Sequence, residues 1–116
     1  MKTLEPFLPL SVATQHILLA LSNEDRHGYG IMQEVSRQSE GKYKLGPGTL
    51  YDNLEKLLDQ GLVTQVHRRD AKDDPRRRYY RLTALGRRVF SDEIARLESV
   101  VREGKLRLRG VKLKEA

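Results

Sequence analysis

The chain has no cysteine and no tryptophan, and among its 116 residues there are only two phenylalanines, two methionines and four prolines. The lack of cysteine excludes disulfides, thiolate metal sites and a cysteine nucleophile, and it fits a reducing compartment such as the cytoplasm. Long apolar runs are missing too. The longest, Ile17-Leu18-Leu19-Ala20-Leu21, falls far below the ~20 residues of a bilayer-crossing helix, so no membrane association is expected. The first residues lack a basic region followed by an apolar stretch, and no secretory signal is expected. Catalytic constellations are absent as well. His16, His27 and His67 are scattered, with no carboxylate at a telling spacing. Asp70, Asp73 and Asp74 lack the glycine and distal glutamate of a calcium loop. The sequence therefore predicts no enzyme, no metal and no cofactor.

What is abundant is positive charge, and it is unevenly distributed. Lys plus Arg is 22 against 16 for Asp plus Glu, a net charge of +6. Seven basic residues face three acidic ones over 67–81, and six face two over 102–116, so each stretch carries +4 and the remainder is net −2. A clustered basic footprint suits a polyanion, because each neutralised phosphate releases counterions. A solvated loop is the plainer reading of the same run.

Residues 1–9, with Pro6 and Pro9, read as an extended arm. Leu10, Ala13, Ile17 and Leu21 recur at helical spacing after the capping residue Ser11, which predicts a helix over about 11–22. A polar connector, 22–27, precedes a second helix that opens at Gly28-Tyr29-Gly30 and ends near Gly41. No strand leads into that Gly-Tyr-Gly and no Lys-Ser/Thr follows it, so it is not a nucleotide phosphate loop. A short extended piece, Tyr43–Leu45, leads to Pro47, which suits a first helical turn. Leu50, Leu54, Leu57 and Leu58 then form an apolar stripe that stops at Gly61. Residues 62–67 and 78–83 are β-prone and flank the turn signal Asp73-Asp74-Pro75, which reads as a long-looped hairpin with Tyr80 and Leu82 inward. A fourth helix, capped by Thr83, is expected to end or weaken at Gly104. Its residues Phe90, Ile94, Leu97 and Val101 alternate at spacings of four, three and four, as in a seam that a partner helix packs into.

The expected fold is mainly α with a small β-hairpin. It is a winged helix-turn-helix over 10–83, with a C-terminal dimerisation helix over 84–104 and a basic tail over 105–116. In that layout the third helix enters the major groove and the hairpin loop lies along the neighbouring backbone or minor groove. Candidate DNA contacts on the helix are Gly48, Thr49, Tyr51, Asp52, Asn53 and Lys56, with Asn53 suited to adenine and Thr49 to a thymine methyl or a phosphate. Candidate wing contacts are Arg68, Arg69, Lys72, Arg76, Arg77 and Arg78. Asp52, Glu55 and Asp59 make the third helix net negative, so attraction must come from the wing and flanking arms. An RNA-binding or protein-docking module without operator specificity is the alternative that this charge favours.

Several motifs in order resemble the PadR family of transcriptional regulators. They are Ile17-Leu18-Leu19-Ala20-Leu21, His27-Gly28-Tyr29-Gly30-Ile31, Leu45-Gly46-Pro47-Gly48-Thr49-Leu50-Tyr51, Gly61-Leu62-Val63, and the run Arg77-Arg78-Tyr79-Tyr80-Arg81-Leu82-Thr83-Ala84-Leu85-Gly86. The resemblance covers about residues 10–100. It implies a homodimeric winged-helix repressor of the short form, bound to a palindromic operator in double-stranded DNA, with the first and fourth helices building the dimer. In short members a small hydrophobic compound near the dimer centre can be the signal. The sequence names no effector here, and the tryptophan that some members use is missing. Asp52 stands where the family often has proline.

Overall fold

A computed structural model of the chain describes residues 7–67 and 77–110. The elements, in order, are α1 (Val12–Ala20), β1 (Arg26–His27), α2 (Gly28–Gln38), α3 (Pro47–Asp59), β2 (Val63–Val66), β3 (Tyr79–Leu82) and α4 (Ala84–Gly110). The three strands form one antiparallel sheet in the order β1-β3-β2, with Arg26 opposite Tyr80 and Val63 opposite Leu82. This is a winged helix-turn-helix. Its core is built from Ile17 and Leu18 of α1 with Leu21 just past its end, Ile31 and Val35 of α2, Leu50, Leu54 and Leu57 of α3, Val63, Tyr80 and Leu82 of the sheet, and Val89 of α4.

Local chemistry sets the helix limits. The Ser11 hydroxyl accepts the Thr14 amide at 3.1 Å and starts α1. His27 caps α2 with its ring, Nδ1 accepting the Gly30 amide at 3.0 Å. At α3 the signals anticipated from sequence hold: Pro47 stands in the first turn, and Gly61, at φ +75°, turns the chain left-handed. The Leu62 amide then reaches back to the Leu57 carbonyl and the Gly61 amide to the Leu58 carbonyl, the paired closure of a Schellman end.

This helix end is bolted to the start of α4. The Thr83 hydroxyl donates to the Gly61 carbonyl at 2.6 Å and accepts the Gly86 amide at 3.0 Å, so one side chain joins two elements. Gly86 permits the contact, because a Cβ there would lie 2.0 Å from the Leu62 carbonyl oxygen. The orientation of α3 relative to the sheet therefore depends on Thr83 and Gly86.

Three expectations are corrected. The sheet has a third strand, β1, within what read as a polar connector; two residues carry no periodicity, and they become a strand only by pairing with β3, more than fifty positions away. Tyr43–Leu45 is not a strand. Its Tyr43 ring stacks on His16 with centroids 4.8 Å apart, and Leu45 is buried. The fourth helix does not end at Gly104 but runs to Gly110. One exposed glycine costs a helix only about 1 kcal/mol relative to alanine, and Arg107 pairs with Glu103 across it at 3.2 Å. Tyr80 and Leu82 do face the core, as the strand alternation predicts, while Tyr79, on the other face, is also buried and meets the edge of His27.

Glu93 is the last buried residue of α4 and has no exposure at all. Its carboxylate accepts the Leu10 amide at 2.7 Å and the Gln15 side-chain amide at 3.3 Å, and it pairs with Arg96. The carboxyl is held below its ordinary range, chiefly by the Arg96 hydrogen bond, with the Leu10 and Gln15 bonds adding to it against the opposing effect of burial. A depressed native value contributes stability that is complete above the unfolded value of about 4.3 and is lost as pH falls through the native one. In urea titrations from pH 7 to pH 3, the Glu93→Gln variant is expected to start less stable and to lose less on acidification. Parallel losses in both chains would contradict this assignment.

Candidate nucleic-acid interface

With Leu50, Leu54 and Leu57 buried, α3 turns Gly48, Thr49, Tyr51, Asp52, Glu55, Lys56 and Asp59 to solvent. Of the helix residues singled out from sequence, Gly48, Thr49, Tyr51, Asp52 and Lys56 are on this surface. Asn53 is half-buried and engaged within the fold: its Oδ1 accepts the Thr14 hydroxyl at 3.2 Å, and its Nδ2 donates to the Thr49 carbonyl at 2.8 Å. Each end of the amide keeps a second hydrogen-bonding site, so these bonds orient the side chain without exhausting it. The geometry makes Asn53 a strut that fixes α3 against α1.

Of the wing residues, Arg68, Arg69, Lys72 and Arg76 lie outside the described residues. Arg77 and Arg78 are exposed at the foot of β3, and the Arg77 guanidinium lies 3.1 Å from His27 Nε2. Arg81 is occupied elsewhere, forming a two-pronged pair with Asp25 at 3.0 and 2.8 Å. Between the first turns of α2 and α3 and the foot of the wing lies a cleft of about 450 Å³, lined by Gly28, Tyr51, Arg77, Arg78 and Tyr80, with His27 and Tyr29 completing it. Gly28 is where two helices nearly touch, since a Cβ there would meet the Tyr51 hydroxyl oxygen at 2.2 Å. The part played by Gly28 and Tyr80 was not drawn from the sequence. The Gly-Tyr-Gly run was a signal for a close approach, whereas the Tyr80 hydroxyl was hidden behind its ring's core role.

On α4 the four seam residues divide. Phe90 packs partly against the core. Ile94 and Val101 are exposed, at 39% and 52%, and with Leu97 they line an open groove of about 420 Å³ together with Glu98, Arg102 and Lys105. Val100, Leu106 and Leu108 add further exposed apolar surface beyond it. Among the described residues no group of three His, Cys, Asp or Glu is arranged to hold a metal, and no helix is long and apolar enough to cross a membrane.

A pair of consecutive helices packed together and followed by a strand hairpin is the layout of the winged helix-turn-helix class of regulators. Comparison narrows the class: the family model for the "Transcriptional regulator PadR-like family" matches residues 17–92, and the chain belongs to that family. Transcriptional regulator Rv3488 of Mycobacterium tuberculosis is 36% identical over 88 residues, covering 76% of this chain and 78% of that one. Among solved structures, a transcriptional regulator from Clostridium thermocellum has a TM-score of 0.68 at 24% identity, covering 86% of this chain and 90% of that one. Bacillus subtilis PadR, solved in complex with operator DNA, has a TM-score of 0.63 at 23% identity over 74% of this chain and 48% of that one. These two structural likenesses are likenesses of fold.

Replacing Asn53 by Ala is expected to cost about 1 kcal/mol in urea unfolding, the worth of one partly buried hydrogen bond and one exposed one. A variant as stable as the parent would return Asn53 to the set of free reading groups.

Proposed function

We propose that the protein is a cytoplasmic, homodimeric PadR-type repressor that binds a palindromic operator in double-stranded DNA. The observation that carries this reading is the juxtaposition of the exposed first turns of α3 with the arginine-bearing foot of the wing. In a chain of this family, that pairing matches a helix in the major groove and a basic flap on the adjacent backbone. Gly48, Thr49, Tyr51, Asp52, Asn53 and Lys56 form the groove-facing set, with Asn53 also tying α3 to α1 through Thr14. Arg68, Arg69, Lys72, Arg76, Arg77 and Arg78 supply the phosphate contacts. Two subunits pair through Ile94, Leu97 and Val101, with Phe90 at the seam's inner end, and this spaces the two reading helices about one helical turn apart. Bound at a promoter, the dimer blocks polymerase. An effector acts by favouring a dimer with the wrong helix spacing, a coupling between two sites.

One feature supports a second reading. The outward side of α3 carries Asp52, Glu55 and Asp59 against Lys56, which repels phosphates and, of the two alternative partners, suits a protein rather than RNA. Selection from a random duplex pool at stated salt separates the two readings. An inverted repeat with half-sites ~10 bp apart supports the operator, whereas no enrichment supports the alternative.

Removing Arg76, Arg77 and Arg78 together is expected to reduce the salt dependence of DNA binding by about 0.9 in log–log slope for each lost phosphate contact. An unchanged slope would remove the wing from the interface. The double variant Leu97→Glu, Val101→Glu should sediment as a monomer with the helical content of the parent. A persisting dimer would mean that α4 is not the seam.

A further inference from the structure

We propose that the cleft between α2, α3 and the foot of the wing is a built seat for a single phosphate group. On DNA, a backbone phosphodiester of each half-site fills it. The inference deepens the operator reading and rests on it for the identity of that phosphate.

The first observation is the lining. Tyr51, Arg77, Arg78 and Tyr80 bring phenol and guanidinium donors to one cleft, and among the described residues no carboxylate lines it. Guanidinium groups match phosphate oxygens in geometry and charge, and phenol hydroxyls add neutral donors. Gly28 and Tyr29, the first two residues of α2, also line it, so the positive end of that helix lies at the cleft.

The second observation is Tyr80. It is only 5% exposed and its ring belongs to the core, yet its hydroxyl has no hydrogen-bond partner among the described residues. Every fully buried side-chain polar atom in the described residues is satisfied. The Tyr80 hydroxyl therefore owes its exception to its opening on the cleft it lines. The ring is anchored in the core while the hydroxyl, bonded to no described residue, is held open to the cleft as a donor already oriented for a ligand atom. Burial, followed by the neighbouring Tyr51, raises the pKa of Tyr80 against the influence of Arg78, so the group stays a neutral O–H donor.

The third observation is Gly28. The absence of a side chain there lets the Tyr51 hydroxyl lie against the first turn of α2, which brings two phenols and a helix N-terminus into one cradle. At about 450 Å³ the cleft has room for a sugar–phosphate unit. Its position decides between sources. With α3 in one groove and the wing beside the next, the strand between them passes over this cleft.

The test uses the full chain and a duplex recovered from the random pool, with single phosphates replaced in turn by neutral methylphosphonates. Tyr80→Phe removes one oxygen and keeps the core ring; its near-ultraviolet circular dichroism and melting should match those of the parent. The parent is expected to lose about tenfold in affinity when one particular phosphate of each half-site is neutralised. Tyr80→Phe should bind the unmodified duplex several-fold more weakly and lose little more at that one position. If Tyr80→Phe binds like the parent, or if its loss simply multiplies with every methylphosphonate, the seat is overturned while the operator reading stands. If the parent binds no duplex, the operator reading fails and inorganic phosphate becomes the probe. Saturable shifts of the Gly28 and Tyr29 amide resonances in the parent, absent in Tyr80→Phe, support a seat for free phosphate, and no shifts overturn it.

Discussion

Burial of Leu50, Leu54 and Leu57 along one side of α3 is the constraint on which the presented surface depends. Each leucine contributes roughly 1.5–3 kcal/mol by leaving water, and all three point into the same core as Ile17, Ile31 and Leu82. The helix cannot roll without exposing them. Its opposite side is thereby fixed outward, and the polar residues there need no stabilising role of their own. The bonds at the two ends of α3 refine the setting. Thr14 to Asn53 holds the helix against α1, and Thr83 to Gly61 ties its last turn to α4. Apolar burial chooses the face, and these polar struts set the angle.

The charge distribution divides labour in a way that neither element achieves alone. The outward face of α3 is acidic, so it cannot draw in a polyanion. The wing is basic, but arginines on phosphates carry no sequence information. In the proposed complex, the two held side by side give attraction from one element and discrimination from the other. In that proposed complex, carboxylates on α3 accept from cytosine amino groups and repel misplaced backbone. They sharpen selectivity at some cost in affinity.

Much of the fold was legible because its signals are local. Pro47, Gly61 and the leucine spacing delimit α3 within a dozen residues, and Ser11 and Thr83 announce their helices by side-chain chemistry. What escaped was set at long range or by competition. β1 exists only because β3 lies beside it. α4 runs past Gly104 because a weak local penalty loses to 27 residues of continuous helix. At the interface, residue type pointed to Asn53 as a reader and said nothing of the bond to Thr14, which only the packing of α1 on α3 creates. The hydroxyl of Tyr80 was invisible for the converse reason, since alternation identifies an inward ring and says nothing of where its far atom emerges.

The central claim is that one continuous surface, made by the first turns of α2 and α3 and the foot of the wing, meets DNA. Amide chemical-shift mapping of the full chain with a pool-selected duplex tests it most directly. The account predicts large shifts over residues 28–29, 48–56 and 77–80, with residues 12–20 of α1 nearly still. Shifts centred on α4 or on the far side of α1, with residues 48–56 unmoved, would contradict it.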